Sequence, residues 1–392
     1  MTSENVVSAA PKTAESLLKV GIVYDRSHKS RGGHGTHLAF RGLPVRSVAL
    51  VDAEADGIRE AQAKVGAERV YGDWREMMDR ERPDIVVLGS RDPVEHWPPL
   101  LEAVRRGIHV LVEKPLCTTL EEADALLALS KKTGSRICVA HLARYAVLFR
   151  TMKRMLEEGA VGTPLSVYGR GKEDERGGGE DMLVLGTHVL DVMCWLFGMP
   201  ERLFAEVTVN GAPLRPSDRS TTSEPLGPVA GDNVFAHLHF PGGVRGFFES
   251  RKGIYQPGNQ VRMGLTVVGT KGALSMRYTN GQVGEGERQL RLTRSSYPAE
   301  DAAEYEVVPL PEDVAIAGAE PLVMDFIPYF SVNNRLAAWD LVQAIREGRE
   351  PRASAADAAA VLEIIQGIYR SQLEGRRIDF PLTDRRHPLS GS

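Results

Sequence analysis

Between Leu18 and about Ala140 the chain alternates short, continuous apolar runs with segments of helical periodicity, and this alternation narrows the possible folds more than any other feature. The apolar runs are KVGIVY, RSVALVD, DIVVLGS, HVLVEKPL and RICVAH; between them lie HLAFRGL, GIREAQAKVG, WPPLLEAVRRG and LEEADALLALSKKTG. A strand that is apolar at nearly every position must be covered on both faces, which a parallel sheet with helices on either side provides. The pattern predicts a doubly wound α/β domain, and in such a sheet a ligand binds at the carboxyl ends of the strands.

After residue 141 the pattern changes. A helical segment, LFRTMKRMLEEG, closes at Gly159; a strand, TPLSVYGRGK, follows, and then a single predicted helix, LVLGTHVLDVMCWLFG, capped by Gly198. From Leu203 onward, alternating segments joined by glycine-rich turns such as PGG and GTKG predict a large, mainly antiparallel sheet. Two amphipathic helices end the chain, the second with Ser354 as N-cap and Gly375 as its stop. With 392 residues, two domains are the natural division. We expect a frayed N-terminus over 1–17, a Rossmann-type dinucleotide-binding domain over 18–140, and an α+β substrate-binding and oligomerisation domain over 141–392.

Charge and cysteine usage exclude several classes of function. Lys plus Arg number 48 against 52 Asp plus Glu, a net charge of −4, so no electrostatic footprint favours nucleic acid or an anionic membrane. Cys117, Cys138 and Cys194 are widely separated and form no CxxC pair; they read as small buried hydrophobes. Asp25, His28, His34 and His37 match no strong zinc spacing, and no metal is expected. There is no secretory pattern at the start and no apolar run long enough to span a bilayer, so a cytoplasmic setting is expected.

Two motifs carry chemistry. EKP, residues 113–115, directly follows the strand HVLV, which places Lys114 at the crevice where a cofactor and a substrate would meet; the same triplet also suits a surface turn. GGGEDMLVLGTHVLD runs from a triple glycine, read as a flexible entry, into a helix carrying His188 and, one turn on, Asp191. An imidazole there has the intrinsic pKa to accept a hydroxyl proton near neutrality, although an isolated histidine also suits a packed core.

Taken together, the stretch from His96 through EAVRRGIHVLVEKPL, then VAHLARY, GAVGTPLSVYGRG and GGGEDMLVLGTHVLD, resembles the glucose-fructose oxidoreductase, inositol dehydrogenase and rhizopine-catabolism family, Gfo/Idh/MocA, over roughly residues 18–380. The resemblance implies an NAD(P)-dependent oxidoreductase acting on a sugar, glycoside or cyclitol, as a homodimer or homotetramer built on the second-domain sheet. It implies Lys114 and His188 as catalytic residues, and Arg144, Tyr145 and Asp191 at the substrate. Ser90, His96 and Glu113, with Lys114, are implied at the cofactor.

Three departures from the family pattern stand out. The position four residues before His188, often an aspartate in relatives, is Val184. A Thr-Pro pair usual after the fourth strand is replaced by GSRDPVEHW. Where relatives have GxGxxG after the first strand, this chain has YDRSHKSRGGHGTHLAF, with Tyr24, Arg26 and Lys29 in the places of the glycines. We read residues 24–36 as an enlarged loop leading into a first helix at HLAFRGL, with Gly33 and Gly35 meeting the phosphates and Arg26, Lys29 and Arg31 adding charge. Asp52, ending the second strand, stands where an acidic residue holds the adenosine ribose and favours NAD over NADP. The alternatives are an NAD-retaining lyase or hydrolase working through a keto-sugar, and a non-catalytic sugar- or nucleotide-binding protein.

Overall fold

The computed structural model describes residues 17–27, 34–220, 222, 226–254, 263–277, 289–295, 305–312, 315–324 and 327–390. The continuous apolar runs form six strands: β1 (Lys19–Val23), β2 (Arg46–Val51), β3 (Arg69–Tyr71), β4 (Ile85–Leu88), β5 (His109–Val112) and β6 (Ile137–Val139). They pair in the order β3-β2-β1-β4-β5-β6, every pair parallel. The order reverses between β1 and β4, and a crevice opens at the carboxyl ends there.

Four helices alternate with these strands: α1 (Ile58–Val65), α2 (Trp74–Glu81), α3 (Pro93–Arg105) and α4 (Leu120–Thr133). Alternate strand residues point to opposite faces. Val86, Leu88, Val110 and Val112 pack with Met77, Met78, Leu100, Val104 and Leu126. On the other face Val20, Ile22, Val87 and Leu111 pack against Phe40, Leu43, Ala337, Ala338 and Leu341. The last three belong to α8 (Pro328–Glu347), so a helix from near the end of the chain covers this face.

The reason lies in the segment predicted as the first helix. HLAFRGL is not an α-helix: a single 3₁₀ turn, Thr36–Leu38, is followed by turns. Gly35 and Gly42 both take positive φ, 86° and 68°, and Pro44 follows, leaving too few residues between breakers to cross the sheet. Phe40 and Leu43 fill part of the space and α8 the rest.

The second half begins with α5 (Val147–Glu157), β7 (Pro164–Arg170), α6 (Gly179–Val184) and α7 (Gly186–Phe197). Then come β8 (Arg202–Val209), β9 (Ala212–Pro213), β10 (Asn233–His239), β11 (Arg245–Arg251), β12 (Gly264–Gly269), β13 (Gly272–Arg277), β14 (Gln289–Thr293) and β15 (Glu306–Val307). After α8, α9 (Ala355–Glu374) and β16 (Ile378–Asp379) end the fold. The sheet has ten strands, ordered β15-β14-β13-β12-β7-β11-β10-β8-β16 with β9 beside β8. Its described pairs are antiparallel except β7 with β11. Ser354 caps α9 in a reciprocal capping box with Asp357, and Gly375 ends that helix at φ 61°, both as the sequence predicts.

Two local expectations are corrected. The predicted single helix through His188 is broken at Leu185 into α6 and α7. The triple glycine is not a flexible entry: a Cβ at Gly177 would lie 2.4 Å from the carbonyl oxygen of Arg251, and one at Gly179 would lie 2.0 Å from that of Ala230. These glycines let α6 dock against backbone, and side chains are excluded by contact.

Candidate functional site

The crevice at the carboxyl ends of β1, β2 and β4 holds a cavity of about 240 Å³, lined among others by Tyr24, Asp73, Trp74, Ser90 and His96. Between β1 and β4, where a glycine-rich turn is usual, Tyr24 instead stacks flat on His37, ring centroids 3.8 Å apart. The Tyr24 ring and the His37 Cβ both press on Gly89, whose own Cβ would come within 3.1 Å of the one and 3.2 Å of the other. His96 is buried, its ring nitrogens 2.9 Å from the Ser90 carbonyl and 3.0 Å from the Leu116 carbonyl, which ties the start of α3 to the segment that follows EKP.

Directly after β2, the Asp52 carboxylate is buried. Its Oδ1 accepts the N–H of Arg26 at 3.1 Å and of Glu54 at 3.0 Å, and its Oδ2 accepts Arg26 Nε at 2.5 Å. Arg26, expected to add charge to phosphates, is therefore engaged with Asp52. Gly33 lies outside the described residues, and Gly35 precedes the 3₁₀ turn with φ 86°.

EKP follows β5 with a cis peptide bond between Lys114 and Pro115. Glu113 and Lys114 are both buried. Glu113 Oε1 accepts the Thr36 hydroxyl, and its Oε2 accepts the Lys114 N–H at 3.2 Å. Lys114 Nζ donates to the carbonyl of Val184 at 2.7 Å. That carbonyl ends α6, and the break at Leu185 leaves it without the partner a continuing helix would supply. The missing carboxylate position thus contributes its backbone instead of a side chain.

His188 stands three residues beyond that break, on α7, with its enclosed Nδ1 lacking a hydrogen-bond partner among the described residues. Burial, with Lys114 and His141 adding, pushes its imidazole well below the ordinary value against the opposing pull of Asp191. A neutral imidazole within electrostatic reach of a lysine can accept a proton.

Asp191 does not line the cleft. It is fully buried, and accepts Arg144 Nε at 2.9 and 3.0 Å and Nη2 at 2.8 Å. Its Oδ1 also lies 3.2 Å from His141 Nδ1. Burial raises the Asp191 pKa, but His141 and Arg144 more than offset this and hold it at about 2. Arg144 continues to Asp357 and the Arg352 carbonyl, both on the α9 side. Tyr145, expected at the substrate, is 1% exposed; its hydroxyl donates to Asp340 at 3.1 Å and accepts the Ala353 N–H at 3.2 Å. Its polar end is consumed inside the fold, so it is scaffold and not a substrate contact.

Sequence reasoning missed His141. It is buried after β6, with Nε2 3.3 Å from the Thr187 hydroxyl and its ring edge-on to His188 at 5.7 Å. The histidine in VAHLARY, directly after a buried strand, was the available signal. Among the described residues no group of His, Cys, Asp or Glu is arranged to hold a metal ion. The three cysteines are free thiols, Cys117 and Cys138 buried. No described helix is long and apolar enough to cross a membrane.

A parallel sheet with a crevice at its switch point, joined to an α+β half that sets a histidine opposite a lysine on β5's carboxyl end, defines a two-domain nicotinamide-dependent oxidoreductase. The chain belongs to the Gfo/Idh/MocA family: residues 25–141 match the oxidoreductase family's NAD-binding Rossmann fold and residues 153–380 its C-terminal alpha/beta domain. It is similar to D-apiose dehydrogenase of Paraburkholderia graminis, 26% identical over 359 residues, covering 87% of this chain and 84% of that one. Levoglucosan dehydrogenase of Pseudarthrobacter phenanthrenivorans is 27% identical over 366 residues, 86% of this chain and 90% of that one. Among solved structures, a levoglucosan dehydrogenase in complex with NADH and levoglucosan superposes with TM-score 0.70 at 23% identity, covering 93% of this chain and all (100%) of that chain. That likeness speaks to the fold.

The residues present fit NAD. The cavity lies at the strand ends, Asp52 directly follows β2, and Nδ1 of His188 is an enclosed polar atom without a hydrogen-bond partner among the described residues. The departure is at the pyrophosphate, because the 3₁₀ turn at Thr36–Leu38 offers no helix N-terminus of useful length.

Proposed function

We propose that the protein is an NAD-dependent dehydrogenase of a secondary hydroxyl on a sugar, glycoside or cyclitol, with Lys114 and His188 as its catalytic pair. The observation that carries this reading is the meeting of Lys114, tied to the Val184 carbonyl, with a half-buried His188 held neutral by its surroundings. When bound, NAD supplies the hydride acceptor. His188 takes the hydroxyl proton, and the Lys114 ammonium stabilises the oxygen as negative charge develops on it. Asp191 fixes His141 and Arg144 and so sets the position of α7, on which His188 rides. Asp52 and Arg26 hold the adenosine end, and Ser90 and His96 line the cleft between. The named relatives act on D-apiose and levoglucosan, which supports a carbohydrate substrate.

The decisive experiment measures NAD affinity by calorimetry and turnover on a panel of aldoses, anhydrosugars and cyclitols. Lys114→Ala and His188→Ala should each lower kcat by about a hundredfold or more while leaving NAD affinity nearly unchanged. Full activity in both variants would refute the catalytic assignment.

We propose a homo-oligomer built on the outer face of the ten-stranded sheet. One face is covered by helices: Gly169 meets Val189 and Met193 of α7. The opposite face presents Tyr168, Phe204 and Phe235 at 44%, 52% and 46% exposure. Tyr168 and His237 both stack on Phe247, centroids 5.0 Å apart in each case. An aromatic, contiguous strip of this kind marks a protein–protein contact. Light scattering of Phe235→Glu against the parent chain tests it; an unchanged mass would argue against this face.

A further inference from the structure

Arg26 occupies one of the positions where a glycine of the dinucleotide fingerprint is expected, and its side chain turns to the end of β2. Its Nε donates to Asp52 Oδ2 at 2.5 Å, and its Nη2 donates to the carbonyls of Glu54 at 3.2 Å and Asp56 at 2.7 Å. The preceding residue makes a second stitch: Asp25 Oδ1 accepts the Ala53 N–H at 3.2 Å. The loop after β1 is thus sewn to the loop after β2.

The consequence lies in which charge faces outward. The Asp52 side chain is 0% exposed, whereas that of Arg26 is 30% exposed. Among the described residues the Nη1 of Arg26 has no acceptor, and it lies beside Gly57, where a Cβ would approach it to 3.3 Å. A bare carboxylate at the end of the second strand favours NAD by accepting the ribose hydroxyls and repelling a 2′-phosphate; an arginine nearby does the reverse. Here both groups are present, paired, with the arginine outermost.

We infer that Arg26 sets the cofactor range of this chain: by neutralising Asp52 and presenting a spare guanidinium N–H pair, it lets the adenosine site accept a 2′-phosphate, so that NADP binds as well as NAD. The inference rests on the reading of the cleft as a nicotinamide dinucleotide site. A charge-assisted contact of this kind changes affinity by about tenfold to a hundredfold.

The test is direct binding of NAD and NADP, by calorimetry, to the parent chain, Arg26→Ala, Arg26→Lys and the Arg26→Ala/Asp52→Asn double variant. The parent chain should bind the two nucleotides within about tenfold of each other. Arg26→Ala should weaken NADP relative to NAD by about tenfold or more, Arg26→Lys should retain part of the NADP affinity, and the double variant should recover NADP binding because no bare carboxylate remains. The ratio of affinities is the readout, since loosening of the stitched loops would weaken both nucleotides together. NAD binding with an unchanged ratio in Arg26→Ala overturns the inference alone. Binding of neither nucleotide to the parent chain overturns the reading of the cleft, and the inference with it.

Discussion

Asp181, in the first turn of α6, has a carboxyl group that the fold holds at some cost, and removing its charge should stabilise the protein in a pH-dependent way. The residue is fully buried. Its Oδ2 accepts the Ser250 hydroxyl at 2.6 Å and the Glu173 N–H at 3.4 Å, while its Oδ1 has no hydrogen-bond partner among the described residues. Burial raises its pKa from the ordinary 3.8 to about 6, the Ser250 bond opposing and Asp174 reinforcing the rise. At about 1.4 kcal/mol per unit, the raised value amounts to a penalty of roughly 3 kcal/mol. Because the folded pKa is the higher one, the native state binds the extra proton between about pH 4 and pH 6. The penalty is therefore complete above pH 6 and vanishes below about pH 4. Asp181→Asn carries no charge at either pH and keeps an oxygen for Ser250, but its amide N–H pair takes the unpartnered side, which returns about 1–2 kcal/mol. The expected net gain at pH 8 is about 1–2 kcal/mol, or roughly 1–2 °C in Tm for a chain of this size. At pH 4 the variant should be no more stable than the parent. Thermal unfolding followed by circular dichroism at both pH values checks this. A gain of the same size at pH 4 and pH 8, or a loss confined to pH 8, would refute the argument from charge burial.

Since burial pushes the His188 imidazole below the usual range, the base stays neutral as pH falls through 6.5; kcat/KM for alcohol oxidation should hold level there, and an acid limb centred at or above 6.5 would contradict this. Asp191→Asn leaves the buried Arg144 with Asp357 and the Arg352 carbonyl as its remaining partners. The loss expected in urea unfolding is about 2–4 kcal/mol, and one below about 1 kcal/mol would show that the ion pair does not brace α7. Gly179→Ala sets a methyl group 2.0 Å from a backbone carbonyl, whereas Gly72 has open space around it. The first should cost about 3 kcal/mol or prevent soluble expression, and Gly72→Ala should stay within about 0.5 kcal/mol; equal effects would contradict the packing argument.

The parallel sheet was legible because burial on both faces leaves continuous apolar runs such as IVVL in β4, and no other common architecture asks for them. The α9 boundaries were legible because a capping box and a positive-φ glycine are local chemistry. The triple glycine was misread since glycine serves mobility and close approach equally well in sequence; only the backbone of 230–232 and 251–252 pressing on it decides between them. Tyr145 and Asp191 were placed at the substrate by resemblance, yet their polar atoms are consumed by Asp340, Ala353, Arg144 and His141, partners whose approach depends on how α7, α8 and α9 pack. The pairing of Arg26 with Asp52 was equally invisible, because nothing in one loop's sequence states the course of its neighbour.

The shortened first helix shows how one local change propagates to the chemistry. With only a 3₁₀ turn after β1, part of the sheet face is left for α8, and that helix brings Asn334 to the opening loop. Asn334 donates to the His34 carbonyl at 2.9 Å, and its side-chain oxygen lies 3.1 Å from the Thr36 hydroxyl, which in turn bonds Glu113. Glu113 accepts the N–H of Lys114, so the loop that replaces the glycine fingerprint, a helix some three hundred residues later in the chain, and the lysine of EKP form one buried polar network. Buried networks of this kind fix geometry when every member is satisfied. The inner end of the remodelled loop is thus fastened to the same framework that orients Lys114, and the loop's departure from the family pattern is coupled to the proposed catalytic lysine through named bonds.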